Sequence, residues 1–563
     1  MFKIFIRTAL MLVLANSLGA YALAQGTTRS ILGVVYDQSQ AVLPGVEITA
    51  TNTDTGLTRT TLSDDQGRYI LAQLRVGPYA IQAELPGFQT SVHEVALTLA
   101  GDVVVDHTLT VGAAGTEIVV TGEAPLVETT SSSLVGLVDQ QQIRDLPLNG
   151  RSFTDLVGLQ TGVSINYNQL GIDNASTAKF NINGTRSTMQ SFTLDGTELR
   201  NQWGTTPGSV NSTMLGVDTV QEFNVITGVA AAEYGGFVGG VVNAVTRSGT
   251  NEFHGTVYAF HRNDNLDAAN FFENKNSQPK PEFKRNQYGF TVGGPAIKDK
   301  LFFFGSFEGL NERLPTTQTS QVPSLDARQG IFGPGICANP DPVTNCNVTP
   351  SPVTQPLLNS WPLPNGGSAT PNGEAFDYSF ANPRITDEYY YLAKVDWQVT
   401  DSDNISGRWI LDDSKISKFG DTHGQVTESS QARNQYLLLE WRRIISTTIV
   451  NEARVSFNRS PIVTEPDFTG TSFPDFMQWN KESFTFDGSQ VRPGELVIGD
   501  DVDPLGYSQR RGRVMFLNRI QWIDNLSISS GAHSLKMGFN IHRLQHNYFA
   551  NSFQAGSYRI TTI

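Results

Sequence analysis

Across residues 251–563, apolar and polar side chains alternate with a period of two, in runs that recur. In 533–543, Leu535, Met537, Phe539 and Ile541 share one face, and Ser534, Lys536, Gly538, Asn540 and His542 the other. In 447–458, Ile449, Ala453, Val455 and Phe457 oppose Glu452, Arg454, Ser456 and Asn458. In 387–399, Tyr389, Tyr391, Val395 and Trp397 oppose Lys394, Asp396 and Gln398. Successive strand residues point to opposite faces, so each run predicts a strand. Nine are predicted: 252–261, 284–294, 300–309, 387–399, 403–412, 433–443, 447–458, 513–528 and 533–543. The connections between them alternate in length. They are long at 262–283, 310–386, 413–432 and 459–512, and short at 295–299, 400–402, 444–446 and 529–532. A soluble sandwich has no reason to sort its connections this way. A transmembrane barrel does, with long outer loops, short periplasmic turns, apolar side chains outward and Tyr and Trp near the strand ends.

Residues 30–112 carry another rhythm. Strand-like Ile31–Asp37 and Pro44–Ala50, the latter opening on a turn, are followed by turn signals at Thr53–Gly56, Asp64–Tyr69, Val76–Tyr79 and Leu85–Phe88. Short strands at such spacing predict a small antiparallel β-sandwich. The series resembles the carboxypeptidase regulatory-like domain, which implies a carbohydrate-binding-like or transthyretin-like sandwich. No peptidase chemistry comes with it. The eight histidines include no His-x-x-Glu and no His-Glu-x-x-His, so the ligand spacing a zinc site needs is missing. His93 and Glu94 are strand neighbours that point apart. There is no Gly-x-Ser-x-Gly elbow and no phosphate-binding loop. We expect no catalytic residues, no metal, no cofactor and no enzyme.

Between these regions, 216–255 runs from an apolar strand through a glycine hinge into the first barrel strand. Val220, Glu222 and Val225 lie on one strand, followed by Ala232-Glu233-Tyr234-Gly235, Gly239-Gly240-Val241-Val242-Asn243 and the polar ending Thr246–Asn251. Closely spaced glycines let a sheet turn tightly and pack backbone to backbone. The pattern resembles the end of the plug domain of TonB-dependent outer-membrane transporters. Leu146–Leu156 and Leu159–Val163 resemble the plug of Oar-like members. Within it, Phe180–Arg186 and Phe192–Gly196 look like its paired strands. Arg186 and Glu222 are the candidate plug ion pair, facing one another or the barrel wall, or else solvated in a wet lumen. The strip Thr116, Glu117, Ile118, Val119, Val120 and Thr121, flanked by Gly115 and Gly122, resembles the TonB box, and reads equally well as a linker or a last sandwich strand. A free extended edge could add to a partner's sheet.

The N-terminus reads as an export signal. Lys3 and Arg7 precede an apolar run from Ala9 to Leu18, and Ala22-Leu23-Ala24 offers cleavage after Ala24. No later stretch reaches the length of a membrane helix, so a membrane location requires strands. With 563 residues, three domains are expected: the sandwich at 30–112, strip and plug at 113–250, and partial barrel at 251–563. A net charge of −14 argues against a nucleic-acid partner. The two cysteines, Cys337 and Cys346, read as a local disulfide in an exported protein, the alternative being two free thiols. The fold class is therefore mainly β: a sandwich, an α+β plug and the first part of a barrel. The resemblance implies a closed barrel of about 22 strands, of which nine or ten are present, so the chain reads as a fragment. It also implies a bacterial outer-membrane receptor for a large or scarce solute, partnered by the TonB complex and lipid. Carbohydrate, metal chelate and peptide or protein all stay open as cargo. The alternative is an exported adhesive or carbohydrate-binding sandwich protein.

Overall fold

A computed structural model of the chain describes residues 27–560, apart from 113–116, 122–133, 147, 149–150, 152–153, 167–178, 202–207, 210–214, 229–232, 236, 270, 272–273, 275–279, 281, 333–345, 353–354, 368–374, 468–494, 499–501, 507–512, 531–532 and 551–556. The expected leader and Thr116 thus lie outside the described residues.

The first unit is a two-sheet sandwich. Its strands are β1 (Thr28–Asp37), β2 (Glu47–Asn52), β3 (Thr58–Leu62), β4 (Arg68–Arg75), β5 (Gly77–Glu84), β6 (Thr90–Leu97), β7 (Val103–Val104), β8 (His107–Leu109) and β9 (Glu117–Thr121). One sheet runs β4-β1-β7, with β8 also paired to β1, and the other β3-β2-β5-β6-β9. The alternate side chains Ile31, Val35, Ile48, Ala50, Leu71, Ile81 and Ala83 are fully buried between the sheets. This is the packing the period-two pattern demands of a sandwich.

The plug follows as β10 (Val135–Val138), α1 (Gln140–Asp145), β11 (Val163–Asn166), β12 (Lys179–Ile182), β13 (Ser191–Leu194), β14 (Thr197–Glu198), β15 (Val220–Ile226) and β16 (Val241–Thr246). Its main sheet has the order β10-β15-β16-β13-β14. Asp139 caps α1, its carboxylate accepting from the Gln142 backbone N–H at 2.8 Å. The two stretches expected to pair with each other do not. β12 pairs antiparallel with β11, while β13 pairs with β14 and, in parallel, with β16. The turn at Asn183-Gly184 and the 3-10 helix Ser187–Met189 carry the chain from one sheet to the other. The glycine hinge is a close approach. A Cβ at Gly240 would lie 2.6 Å from Ile182 and 2.7 Å from the Ile226 carbonyl oxygen.

The wall is one antiparallel nine-stranded sheet. Its strands are β17 (His254–Asn263), β18 (Lys284–Ile297), β19 (Leu301–Arg313), β24 (Ile385–Gln398), β25 (Asp403–Phe419), β26 (Thr427–Ser446), β27 (Ile449–Asp467), β29 (Arg513–Ser530) and β30 (His533–Ala550). All nine predicted strands are present, and β17 and β30 form its two edges. Tyr389, Tyr391, Val395 and Trp397 are exposed on the outer face, and Glu388, Lys394 and Asp396 are buried on the inner one. The strands run further than predicted on the long-loop side, where β26 has 20 residues and β27 has 19. Among the described residues no helix is long and apolar enough to cross a membrane.

The long connections carry β20 (Thr316–Pro323), β21 (Ile331–Phe332), β22 (Cys346–Asn347), β23 (Ala375–Asn382) and β28 (Glu495–Ile498), and β31 (Ser557–Ile560) pairs with β28. They pack on one another around Val322, Trp361, Ala375, Val426, Leu496 and Leu505. Arg328 ties this cap by donating to the carbonyls of Pro323 at 3.1 Å and Trp361 at 2.9 Å.

Candidate functional site

The inner face of the wall carries buried charged and polar side chains together with apolar ones, such as Phe304, Leu392 and Ile410, that pack against the plug. The hairpin joining β13 and β14 turns through Asp195-Gly196, both with positive φ (49° and 73°), the two-residue turn that Asp-Gly favours. That turn aims Asp195 at the wall. Its carboxylate accepts from Arg408 on β25, and from the backbone N–H and hydroxyl of Thr246, each at 2.8 Å. Lys394 on β24 donates to the Thr246 carbonyl at 3.1 Å. Burial alone would raise the Asp195 carboxyl, but the charges of Lys394 and Arg408, helped by Thr246, hold it below the usual range.

Further contacts continue the seam. The Glu198 backbone N–H donates to Gln521 at 2.9 Å, and its carbonyl accepts from Asn458 at 2.7 Å. The Gly216 N–H donates to Glu308 at 2.8 Å, and the Ser209 hydroxyl to Glu388 at 2.9 Å. Arg151 of the plug pairs with Asp218, lies 3.6 Å from Glu308, and stacks over Tyr258 (4.4 Å) and Phe260 (4.7 Å) of β17. Buried polar groups must be paired, so charged wall positions fix where the plug sits.

The sandwich docks at the short-turn end, the periplasmic side of such a barrel. Arg75, at the end of β4, donates to Asp396 on β24 at 2.6 Å and to Glu440 on β26 at 3.0 Å. The β1–β4 register slips between Arg29 and Ile31, leaving an extra residue in β4. Within this bulge Gln73 takes a positive φ of 56° and donates to Ser527 on β29 at 2.7 Å. Bulges re-aim side chains in this way. Arg454 on β27 reaches the Thr27 hydroxyl at 2.8 Å. Gly56, with φ of 72°, allows the turn after β2 to approach the barrel, since a Cβ there would lie 2.5 Å from Asp299.

Glu222 of β15 belongs to this docking face. It accepts from the Leu99 N–H of the sandwich at 2.6 Å, while Asn224 and Arg29 donate to the Leu99 carbonyl at 2.7 and 2.8 Å. Burial pushes its carboxyl up to about 7, against the pull of the Leu99 N–H and the Arg29 charge. The expected pairing with Arg186 is not found. Arg186 stands at the N-cap position of the 3-10 helix without a side-chain capping bond and is exposed, whereas Glu222 is buried against the sandwich.

The strip Glu117–Thr121 forms β9, the edge strand of the five-stranded sandwich sheet, paired in parallel with β6 (Val92 opposite Val119). Cys346 stands in β22 opposite Phe332, and Cys337 lies outside the described residues. Sequence reasoning missed Arg75, Arg151 and the Asp195–Arg408 pair. One signal was available. Charged residues recur on the inward parity of otherwise apolar strands (Lys394, Asp396, Arg408, Glu440, Arg454), and a buried charge there needs a partner inside.

Comparison with known proteins agrees with this geometry. A polar-lined, apolar-faced strand wall carrying a plug is the architecture of an outer-membrane receptor. Residues 245–562 match the Outer membrane beta barrel domain family, 30–110 the Carboxypeptidase regulatory-like domain and 125–241 the TonB-dependent Receptor Plug Domain. The chain belongs to the TonB-dependent receptor family, whose members are transporters of the bacterial outer membrane. It is 31% identical over 328 residues to the TonB-dependent transporter Oar of Myxococcus xanthus, covering 55% of this chain and 29% of that protein. It is 27% identical over 179 residues to the probable TonB-dependent siderophore receptor PirA of Acinetobacter baumannii, covering 30% of this chain and 22% of that protein. The chain thus spans less than a third of the length of the curated relatives it matches. Among solved structures, the outer membrane transporter YddB from Escherichia coli aligns with 74% of this chain and 48% of its own, at 12% identity and a TM-score of 0.47. The siderophore receptor PirA structure aligns with 74% of this chain and 49% of its own, at 16% identity and a TM-score of 0.43.

Proposed function

We propose that this chain works as the solute-gating part of a receptor that imports a large or scarce solute across the outer membrane, energised by TonB. The observation that carries the reading is the hydrogen-bonded and ionic seam between plug and wall, centred on Asp195 and Arg408. Its polar contacts can be exchanged for water when the plug is pulled, while an apolar cluster that includes Phe223 of the plug and Phe304, Leu392 and Ile410 of the wall adds to the contact at rest. The packed cap of long connections would offer the outer binding surface. The β9 strip would give TonB its handle by strand addition. The cargo class is a metal chelate, carbohydrate, or peptide or protein, and one relative's designation as a probable siderophore receptor puts ferric chelates first on the panel.

The test is accumulation of a panel of ferric siderophores, oligosaccharides and peptides by cells expressing the receptor, with and without TonB. Accumulation of one class that disappears without TonB supports the reading. No accumulation from the whole panel, with the protein recovered in soluble or secreted fractions, would overturn it in favour of an exported sandwich adhesin.

A further inference from the structure

The sandwich docking face has an unbalanced charge. Three guanidiniums, Arg75, Arg442 and Arg454, share the wall carboxylates. Arg75 takes Asp396 and Glu440, Arg442 takes Glu440 and Glu452 (3.3 and 2.8 Å), and Arg454 takes Glu440 at 2.9 Å and also pairs with Glu452. Arg59, a fourth, has none. It lies on β3 opposite Ala50 and is 8% exposed. Among the described residues its guanidinium makes no hydrogen bond or ion pair, and its Nε is buried without a partner. A buried cation left unpaired is strongly unfavourable. Burial, and then the neighbouring charge of Arg442, push Arg59 down to about 10.

Arg59 lines a cleft of about 440 Å³ between the sandwich, the plug and the short turns of the wall around Thr400–Asp403. That volume lies within the range of small-ligand sites, roughly 300–1,000 Å³. The carboxylates along the cleft do not neutralise Arg59. Asp396 is held by Arg75 and by the Ser406 hydroxyl at 2.8 Å, and Asp403 by Thr400 and Trp441, each at 3.0 Å. Asp54, Glu252 and Asp401 also line it without pairing with Arg59. These acids would repel a polyanion and leave room for one small charged head.

We propose that this cleft is an oxyanion site, in which Arg59 binds the carboxylate or phosphate group of a singly charged small molecule or lipid headgroup between the docked sandwich and the barrel mouth. A guanidinium presents paired N–H donors that match the two oxygens of such a group. The site lies on the side opposite the long-loop cap, so it is separate from solute capture, and an anion there would fasten the sandwich to the mouth. The inference stands on the geometry of the docking face, independent of which solute is carried.

The experiment measures the thermal unfolding midpoint of the whole chain in maltoside detergent. Inorganic phosphate and acetate are titrated separately, with ionic strength held constant by chloride. A parallel arm compares nanodiscs of neutral lipid with nanodiscs containing phosphatidylglycerol. We expect the midpoint to rise with at least one of these anions, as preferential binding to the folded state requires, and the rise to be lost in Arg59→Gln. In chloride buffer without phosphate or acetate, Arg59→Gln should be at least as stable as the parent, because it removes an unpaired buried charge. A response to phosphate or acetate assigns a soluble ligand, and a response confined to phosphatidylglycerol assigns lipid. The proposal is overturned if no arm shifts the midpoint, if Arg59→Gln responds like the parent, or if Arg59→Gln is unfolded in chloride buffer without phosphate or acetate, which would make Arg59 a structural residue.

Discussion

Arg408, on the inner face of β25, ends on the carboxylate of Asp195, the first residue of the plug's Asp195-Gly196 turn. The two partners are not equivalent. Without Arg408, Asp195 keeps Thr246 and the nearby charge of Lys394. Without Asp195, Arg408 keeps, among the described residues, a 3.4 Å contact to the Thr197 hydroxyl. Removing one partner of a buried pair costs on the order of 3–5 kcal/mol. Asp195→Ala should therefore sit at or above that range and Arg408→Met below it, with the double variant recovering part of the loss. Trypsin susceptibility of the plug in detergent measures this, and equal susceptibility of the two single variants would show that the asymmetry is wrong.

A second expectation concerns Arg75, which joins the sandwich to two different wall strands. Arg75→Glu places a third acid beside Asp396 and Glu440 and should release the sandwich. A disulfide trap between Gln73→Cys and Ser527→Cys, whose side chains lie 2.7 Å apart at their polar atoms, reads docking directly. We expect trapping to fall at least tenfold in Arg75→Glu, equivalent to about 1.4 kcal/mol. Unchanged trapping would mean that docking rests on the Leu99 contacts instead.

Much of this architecture was legible in the sequence, and the limits of legibility are physical. The wall strands were readable because an outer apolar face opposes an inner face rich in polar groups, so residues such as Val395 and Lys394 alternate, although runs such as Leu301–Phe304 and Leu437–Leu439 break the pattern. Strand ends were not. Beyond the membrane the ladder of β26 continues through Thr427–Ala432, where no apolar face is required and the period-two signal disappears. Pairing within the plug was also hidden. Its strands are short and buried on both faces, as in β13 and β16, so alternation carries no information. Glu222 was expected to face Arg186 or the barrel wall, or to be solvated, and it instead meets the sandwich. Its partner, a backbone N–H of a separate domain, leaves no trace in side-chain chemistry.

Glu222 also gives a pH dependence with a definite sign. Its carboxyl is raised from 4.5 to about 7 by burial. A raised acid favours the folded, docked state while protonated, so its contribution is full below about 4.5 and is lost as pH rises through about 7. That interval corresponds to roughly 3 kcal/mol at most. Melting midpoints from pH 4.5 to 7.5 should fall more steeply in the parent than in Glu222→Gln. Parallel curves would rule out Glu222 as the titrating group.

For the cysteines, we expect a Cys337–Cys346 bridge in the exported protein, closing a short ring at the base of which β22 pairs with β21. A ring of this size stabilises by roughly 2–3 kcal/mol in the chain-entropy model, felt locally in the cap. Mass spectrometry of non-reduced peptides decides the matter, and two alkylatable thiols would exclude the bridge.

The last prediction concerns β9. Its parallel pairing with β6 places it at the edge of the sandwich sheet, with no second strand beside it among the described residues. If TonB engages this strip by strand addition, affinity resides in backbone hydrogen bonds, and single side-chain changes should be mild. A proline is different, since it removes a ladder donor and fixes φ. Val119→Pro or Val120→Pro should therefore be severe, while Val119→Thr should not. The full-length receptor with Ile118→Cys, paired with a cysteine in the TonB C-terminal domain, provides the assay. Efficient crosslinking that Val119→Pro abolishes, with sandwich trapping through Gln73→Cys and Ser527→Cys intact, supports the assignment. Should crosslinking and uptake both survive that proline and deletion of 116–121, the strip is a sandwich strand alone and TonB must grip the chain elsewhere.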